Sequence, residues 1–304
     1  MSRIPIDFNI NSSYNKNQSN LGLSLKMEMF QEDYDNLNMY NYIPQLSFKP
    51  LSIRENYSGN YNNYVETTLY HILFIRNLPF DLILSKKPKI DITMSQNKKL
   101  LLLDLDETLI HADFSGEFKD QTKRKYDAII SFTSDNDNIS KIKQETFSVG
   151  IFIRDGVKQF IKWASKYFDI GIFTASVKEY ADAVINYIDP SKLIKYRFYR
   201  NQCIEIIPGV VVKDLRIFKN INQKDIIMVD NNMYSFSNQL SNGILVNSYF
   251  GEKQNEDLKD LAAYLYEQIL NANDIRKINK ETFQFDKIFN ICKNNYIKNN
   301  NNII

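Results

Sequence analysis

Leu100-Leu101-Leu102-Leu103-Asp104-Leu105-Asp106-Glu107-Thr108 sets two carboxylates at the end of a short apolar run. Four leucines bounded by Lys99 and Asp104 are too few for a helix. They suit a strand buried on both faces, as in the centre of a parallel sheet. Open sheets of that kind bind ligands at the carboxyl ends of their strands. Asp104 and Asp106, two positions apart, would share a face on an ideal strand, although the chain should be turning there. Two acids placed where water is scarce need a partner for their charge, and a hard cation such as Mg²⁺ with oxygen ligands answers that need. The alternative is an acidic strand end in which Thr108 caps the following segment.

Working outward, the pattern alternates strands with helices. Tyr126 to Thr133 and Thr146 to Ile153 are β-rich runs joined by the turn-rich Ser134-Asp135-Asn136-Asp137-Asn138, which predicts a hairpin with a long tip. Val157, Phe160, Ile161, Ala164 and Phe168 keep helical spacing. A short strand at Asp169 to Thr174 comes next. Ser176 then stands three residues before Glu179, the spacing of a capping box, ahead of a helix marked by Val177, Tyr180, Ala181, Val184 and Ile188. Further strands are predicted at Tyr196 to Tyr199, Val210 to Val212, Ile226 to Val229 and Gly243 to Val246, and a last helix from Asp257 to Leu270. The fold expected is α/β, a Rossmann-like, mainly parallel sheet flanked by helices, with a β-hairpin insertion and no large cap domain.

Polar groups close four of these strands: Asp104 with Asp106, Thr174, Lys213 with Asp214, and Asp230 with Asn231. Each strand is largely apolar until its last residue, so all four sets should converge on one edge of the sheet. Two carboxylates and an amide oxygen make an oxygen-lined cation site. A lysine and a hydroxyl beside it supply donors for an anion, and a phosphoryl group is the anion that most needs both a cation and a lysine.

These residues resemble the haloacid dehalogenase superfamily, and within it the small phosphatases acting on the C-terminal domain of RNA polymerase II and their NLI-interacting-factor-like relatives. The likeness runs through Asp104-Leu105-Asp106-Glu107-Thr108-Leu109-Ile110-His111, Phe173-Thr174-Ala175-Ser176, Tyr180-Ala181-Asp182, Val212-Lys213-Asp214-Leu215 and Asp230-Asn231. The resemblance implies that Asp104 is the nucleophile that accepts the phosphoryl group and that Asp106 is the general acid and base. It implies Mg²⁺ held by Asp104, the main-chain carbonyl of Asp106 and Asn231, with Asp230 acting through a bound water. Thr174 and Lys213 would bind the phosphoryl oxygens, and Phe114, Tyr180 and Arg200 would line the substrate cleft. The implied activity is a protein serine/threonine phosphatase with a phosphoprotein substrate, the polymerase C-terminal domain or another. A small-metabolite phosphatase of the same superfamily and a non-catalytic scaffold on this fold are the alternatives; both Asp104 and Asp106 are present, which tells against the scaffold. The chain departs from the family's pattern where Asn232-Met233 replaces a Ser-Pro pair and where Arg154 stands in place of a proline. The hairpin insertion between Phe114 and Arg154 is also longer than in the polymerase phosphatases.

Composition bounds the rest. The 304 residues are 43% hydrophobic with a formal charge of +2, enough for a sizeable core and too balanced to announce nucleic-acid binding. Two distant cysteines, Cys203 and Cys292, offer no disulfide framework and fit a reducing compartment. Neither has an arginine at the sixth position after it, where Gly209 and Lys298 stand, so a cysteine-dependent phosphatase is disfavoured. His111 is read as structural, and with His71 as the other histidine a zinc cluster has little support. The apolar stretch Leu69 to Leu84 is broken by His71, Arg76, Asn77, Pro79 and Asp81, so no membrane span is expected. An intracellular protein, nuclear or cytoplasmic, is expected. Lys86-Lys87-Pro88-Lys89 is read as a solvated basic linker rather than an import signal. Residues 1–65, rich in Asn, Tyr and Ser, are expected to be disordered, 66–97 to be a linker or approach segment, 98–272 to form the phosphatase domain, and 273–304 to be a mobile Asn/Lys-rich tail.

Overall fold

The computed structural model describes residues 61–76, 80–115, 125–134, 145–207 and 210–301. The disorder expected before residue 61, the tip of the hairpin at 135–138 and the last three residues lie outside them. Two helices, α1 (Tyr61–Arg76) and α2 (Phe80–Ser85), and a short strand β1 (Ile90–Asp91) lead into β2 (Lys99–Leu103). The insertion follows as β3 (Ile110–Asp113), β4 (Ala128–Ser134) and β5 (Glu145–Ile153). Then α3 (Val157–Tyr167), β6 (Phe168–Phe173), α4 (Lys178–Ile188) and β7 (Ile194–Phe198) alternate. β8 (Ile204–Ile207), β9 (Val210–Val212), β10 (Phe218–Lys219), β11 (Ile226–Asp230) and β12 (Gly243–Leu245) precede α5 (Asp257–Tyr264), α6 (Ile275–Phe283) and α7 (Phe285–Asn301).

The central sheet is parallel throughout, in the order β12-β11-β2-β6-β7. Leu100 to Leu103 are fully buried, which is why the run carries no polar face. Leu103 lies opposite Ile172 on one side and Val229 on the other, so these strands end level with each other. The chain leaves β2 toward β6 and β7 and later crosses back to β11 and β12, making the gap between β2 and β11 a switch point where such sheets bind ligands. Gly171 in β6 is required by close approach, since a Cβ there would meet Leu102 Cδ2 at 2.9 Å and Tyr196 Cβ at 3.3 Å.

The insertion is an antiparallel sheet in the order β3-β5-β4, so the predicted hairpin gains β3 as a third strand. It returns to its starting point, where Arg154 N–H donates to the Leu109 carbonyl at 3.0 Å, and thus borders the carboxyl end of β2. Among the described residues no larger cap is inserted between β2 and β6. α3 buries Val157, Phe160, Ile161 and Ala164 as their spacing predicts, and Gly156 before it takes a left-handed φ of 85°.

Three sequence readings are corrected. Residues 275–301 of the tail expected to be mobile form the two helices α6 and α7: Phe285, Ile288, Phe289 and Cys292 make a buried stripe at i, i+3, i+4 and i+7 within an Asn-rich composition. Residues 61–76, the end of the stretch expected to be disordered and the start of the linker or approach segment, form α1, whose Val65, Leu69, Ile72 and Leu73 are buried and which packs against α7. Its Arg76 lies over the Phe289 ring at 4.3 Å and donates to the Ser237 carbonyl at 2.7 Å. Finally, Lys213 does not end a strand of the central sheet, because β9 pairs with β8 in a separate antiparallel ribbon. The basic run is tethered to the domain, Lys87 Nζ donating to the Asn201 carbonyl at 3.0 Å and Lys89 Nζ to that of Arg216 at 2.9 Å. No helix among the described residues is long and apolar enough to cross a membrane.

Candidate active site

Asp104 leaves β2 at the switch point, its N–H donating to the Val229 carbonyl at 2.9 Å. Lys213 Nζ donates to Asp104 Oδ1 at 2.5 Å and to Asp230 Oδ2 at 2.6 Å, so one fully buried ammonium serves two carboxylates from neighbouring strands. Burial works to lower the Lys213 ammonium, but the two carboxylates outweigh it and hold its pKa above the ordinary lysine value. The Asp230 carboxyl is pushed up to about 6 by burial, with Lys213 pulling down and Asp104 pushing up. The Lys213 N–H donates to the Ser235 carbonyl at 2.8 Å, which ties the β8-β9 ribbon to the turn after β11.

Thr108 is fully buried and its hydroxyl faces Asp104 Oδ2 at 3.3 Å and Asn231 Oδ1 at 3.1 Å, while it accepts from Asn231 N at 3.2 Å. Asn231 Nδ2 donates to Ser248 Oγ at 3.0 Å, which leaves its amide oxygen on the Asp104 side. Two carboxylates sharing one ammonium retain a surplus negative charge, and the surrounding donors are hard oxygens. The oxygens of Asp104, Asn231 and Asp230 are donors of the hard kind that a divalent cation such as Mg²⁺ takes.

Asp106 has a different environment. Its Oδ1 accepts from Tyr180 OH at 2.5 Å and its Oδ2 from Ser176 Oγ at 2.7 Å. Burial raises its pKa and the Asp104 charge adds to that, against the pull of the two hydroxyls. Ser176 does not cap α4, which begins at Lys178 after Val177 without a side-chain cap; the capping-box reading is corrected, and its hydroxyl goes to Asp106 instead. Thr174 follows β6, buried, with its N–H on the Phe198 carbonyl at 3.0 Å and its Oγ1 accepting from Ser176 N at 3.0 Å.

Asp104, Asp106, Thr174, Lys213, Asp230 and Asn231 are thus gathered at one end of the sheet. Asp214 turns away, fully buried and bound by Arg216, Asn238 and Gln239. Arg200 is exposed at the rim, its Nε donating to the Ala175 carbonyl at 2.6 Å. Phe114 is 63% exposed, its ring 5.5 Å from that of buried Tyr180, and Phe132 continues the row at 5.6 Å from Tyr180. His111 pairs with Glu107 Oε1 at 3.0 Å and stacks on Phe152, in keeping with a structural role. Burial pushes the Cys203 thiol up to about 12, which leaves it a poor nucleophile. Sequence reasoning missed Thr108 and Ser176 as parts of the site. Both stand inside the motif stretches, four residues after Asp104 and two after Thr174, but as caps in the sequence reading.

Residues 99–276 match the family model described as NLI interacting factor-like phosphatase. CTD small phosphatase-like protein 2 of Dictyostelium discoideum is 32% identical over 190 residues, 62% of this chain but 30% of that protein. CTD small phosphatase-like protein 3 of Caenorhabditis elegans is 31% identical over 217 residues, 70% of each chain. The solved structure of Fcp1, titled an essential RNA polymerase II CTD phosphatase, is 18% identical over 64% of this chain and 63% of that one, with a TM-score of 0.39.

Proposed function

The chain belongs to the NLI interacting factor-like phosphatase family, and from that premise we propose that it is a Mg²⁺-dependent protein serine/threonine phosphatase working through an aspartyl-phosphate. One observation carries this reading. Two carboxyls two residues apart lie in opposed environments: Asp104 is held by the Lys213 ammonium, while Asp106 is held by hydroxyls and has its pKa raised by burial. Two carboxyls given such different partners can divide the roles of nucleophile and proton donor.

Asp104, bound by Lys213, attacks phosphorus in line; the new bond runs from its carboxylate oxygen to phosphorus as the bond to the seryl or threonyl oxygen breaks. Asp106 gives its proton to the departing oxygen, then takes one from the water that opens the acyl phosphate. Thr174 and Lys213 bind the equatorial oxygens, and Lys213 also keeps two carboxylates from repelling the incoming dianion. A Mg²⁺ ion held by Asp104, Asn231 and the Asp106 carbonyl would supply Lewis-acid charge for the phosphoryl group. Exposed Phe114 and Arg200 line the approach, and a site bordered by a β-sheet rather than closed by a large cap suits an extended peptide. The C-terminal domain of RNA polymerase II, which the family resemblance implies, heads the substrate panel, and the relatives are named CTD small phosphatase-like.

The test is phosphate release from phosphoserine peptides and from a panel of small phosphorylated metabolites, with the parent protein beside Asp104→Asn. Peptide turnover that needs Mg²⁺, stops with a chelator and is abolished by the substitution is the expected result. Turnover confined to metabolites moves the substrate class, and turnover by Asp104→Asn equal to the parent's removes the nucleophile assignment.

A further inference from the structure

We propose that Ser176 and Tyr180 form a clamp that fixes the Asp106 carboxyl against the Thr174 loop, making both of them positioning residues for departure of the leaving group. The proposal rests on the phosphatase reading above. Asp106 sits in the turn after β2, where Glu107 takes a φ of 56°, and so lies on a different segment from the residues that hold it. Both of its oxygens are occupied, Oδ1 by Tyr180 OH at 2.5 Å and Oδ2 by Ser176 Oγ at 2.7 Å, which stops rotation of the carboxyl group.

The clamp is itself held. Ser176 makes three bonds: its Oγ to Asp106, its N–H to Thr174 Oγ1 at 3.0 Å, and its carbonyl accepting from Arg200 N at 3.0 Å. Tyr180 is buried in the first turn of α4, its ring between Phe114 at 5.5 Å and Phe132 at 5.6 Å. The proton donor is thereby set in register with the hydroxyl that meets the phosphoryl oxygens, the alignment on which proximity catalysis depends. Hydroxyl donors hold the carboxyl group in place and still leave each of its oxygens a second lone pair facing the site. Ordinary packing does not explain the arrangement. A phenylalanine would fill the Tyr180 site equally well, and Ser176 caps nothing.

The experiment compares kcat/KM of the full chain on a phosphoserine peptide, whose alkoxide must be protonated as it leaves, with that on p-nitrophenyl phosphate, whose phenolate needs no proton. Tyr180→Phe and Ser176→Ala are each expected to lose roughly tenfold on the peptide and less than about twofold on the aryl ester, with thermal midpoints near the parent's. Ser176→Thr, which keeps the donor, should recover the peptide rate. The two variants remove separate hydroxyls, so poor folding of one leaves the other to decide. Equal losses on both probes, or no loss on either, with Asp106→Asn still selective for the peptide, overturn the clamp and leave the acid assignment standing. An Asp106→Asn variant that loses both probes alike overturns the acid assignment and the clamp with it.

Discussion

Asp104 and Asp106 are separated by one leucine, yet what distinguishes them chemically comes from residues 70 to 109 positions away. Lys213 is the clearest case. It is fully buried between Asp104 and Asp230, a position with no room for a free charge. Replacing it leaves two desolvated carboxylates without their counter-ion, a change of the kind that costs about 3–5 kcal/mol. Lys213→Met is therefore expected to lower unfolding stability by that order in urea denaturation as well as to abolish phosphate release. A variant of parental stability would show that solvent or other groups already satisfy the pair.

At the scale of elements, the motif-bearing strands were legible because each is short, apolar and closed by a polar residue, a pattern that needs no knowledge of partners. β9 met the same description and joined a different sheet, since an apolar run specifies burial and not the neighbour it pairs with. The terminal helices failed in the other direction. Their apolar stripes are regular but are set among asparagines, whose composition is that of an unstructured segment. α7 buries Phe289 under the Arg76 guanidinium of α1, and α1 in turn reaches the turn after β11 through His71 Nδ1 and Tyr234 OH at 2.8 Å. Phe289→Ala should cost about 3 kcal/mol by the usual cost of emptying a core aromatic site. Chemical denaturation monitored by circular dichroism would read it, and a change near zero would return the segment to the status of a tail.

Over the whole molecule, buried carboxylates knit distant segments together and set the response to acid. Burial works to raise Asp169, but Ser95 and Lys195 more than offset it; Arg216 and Asn238 do the same for Asp214, so both are held below the ordinary carboxylate range. Because these groups are depressed in the folded state, the unfolded chain takes up protons first as pH falls. Their contribution is full above the ordinary value of about 4 and is lost below it. Asp230, raised to about 6 in the folded state, works the other way and adds stability as pH falls from 7 to 5. Thermal midpoints should therefore rise or hold between pH 7 and 5 and drop beneath about 4, with a shallower drop for Asp214→Asn; an unchanged acid slope in that variant would remove Asp214 from the account. The sequence by itself determined the strand ends, the acid pair and the α/β alternation, because burial pattern and motif spacing are local properties of the chain. Tertiary structure alone decided that Lys213 arrives from a separate ribbon, that Ser176 serves Asp106 rather than α4, and that the two ends of the described chain pack together. Those outcomes depend on which buried donor finds which acceptor across the folded interior, and no local pattern encodes that pairing.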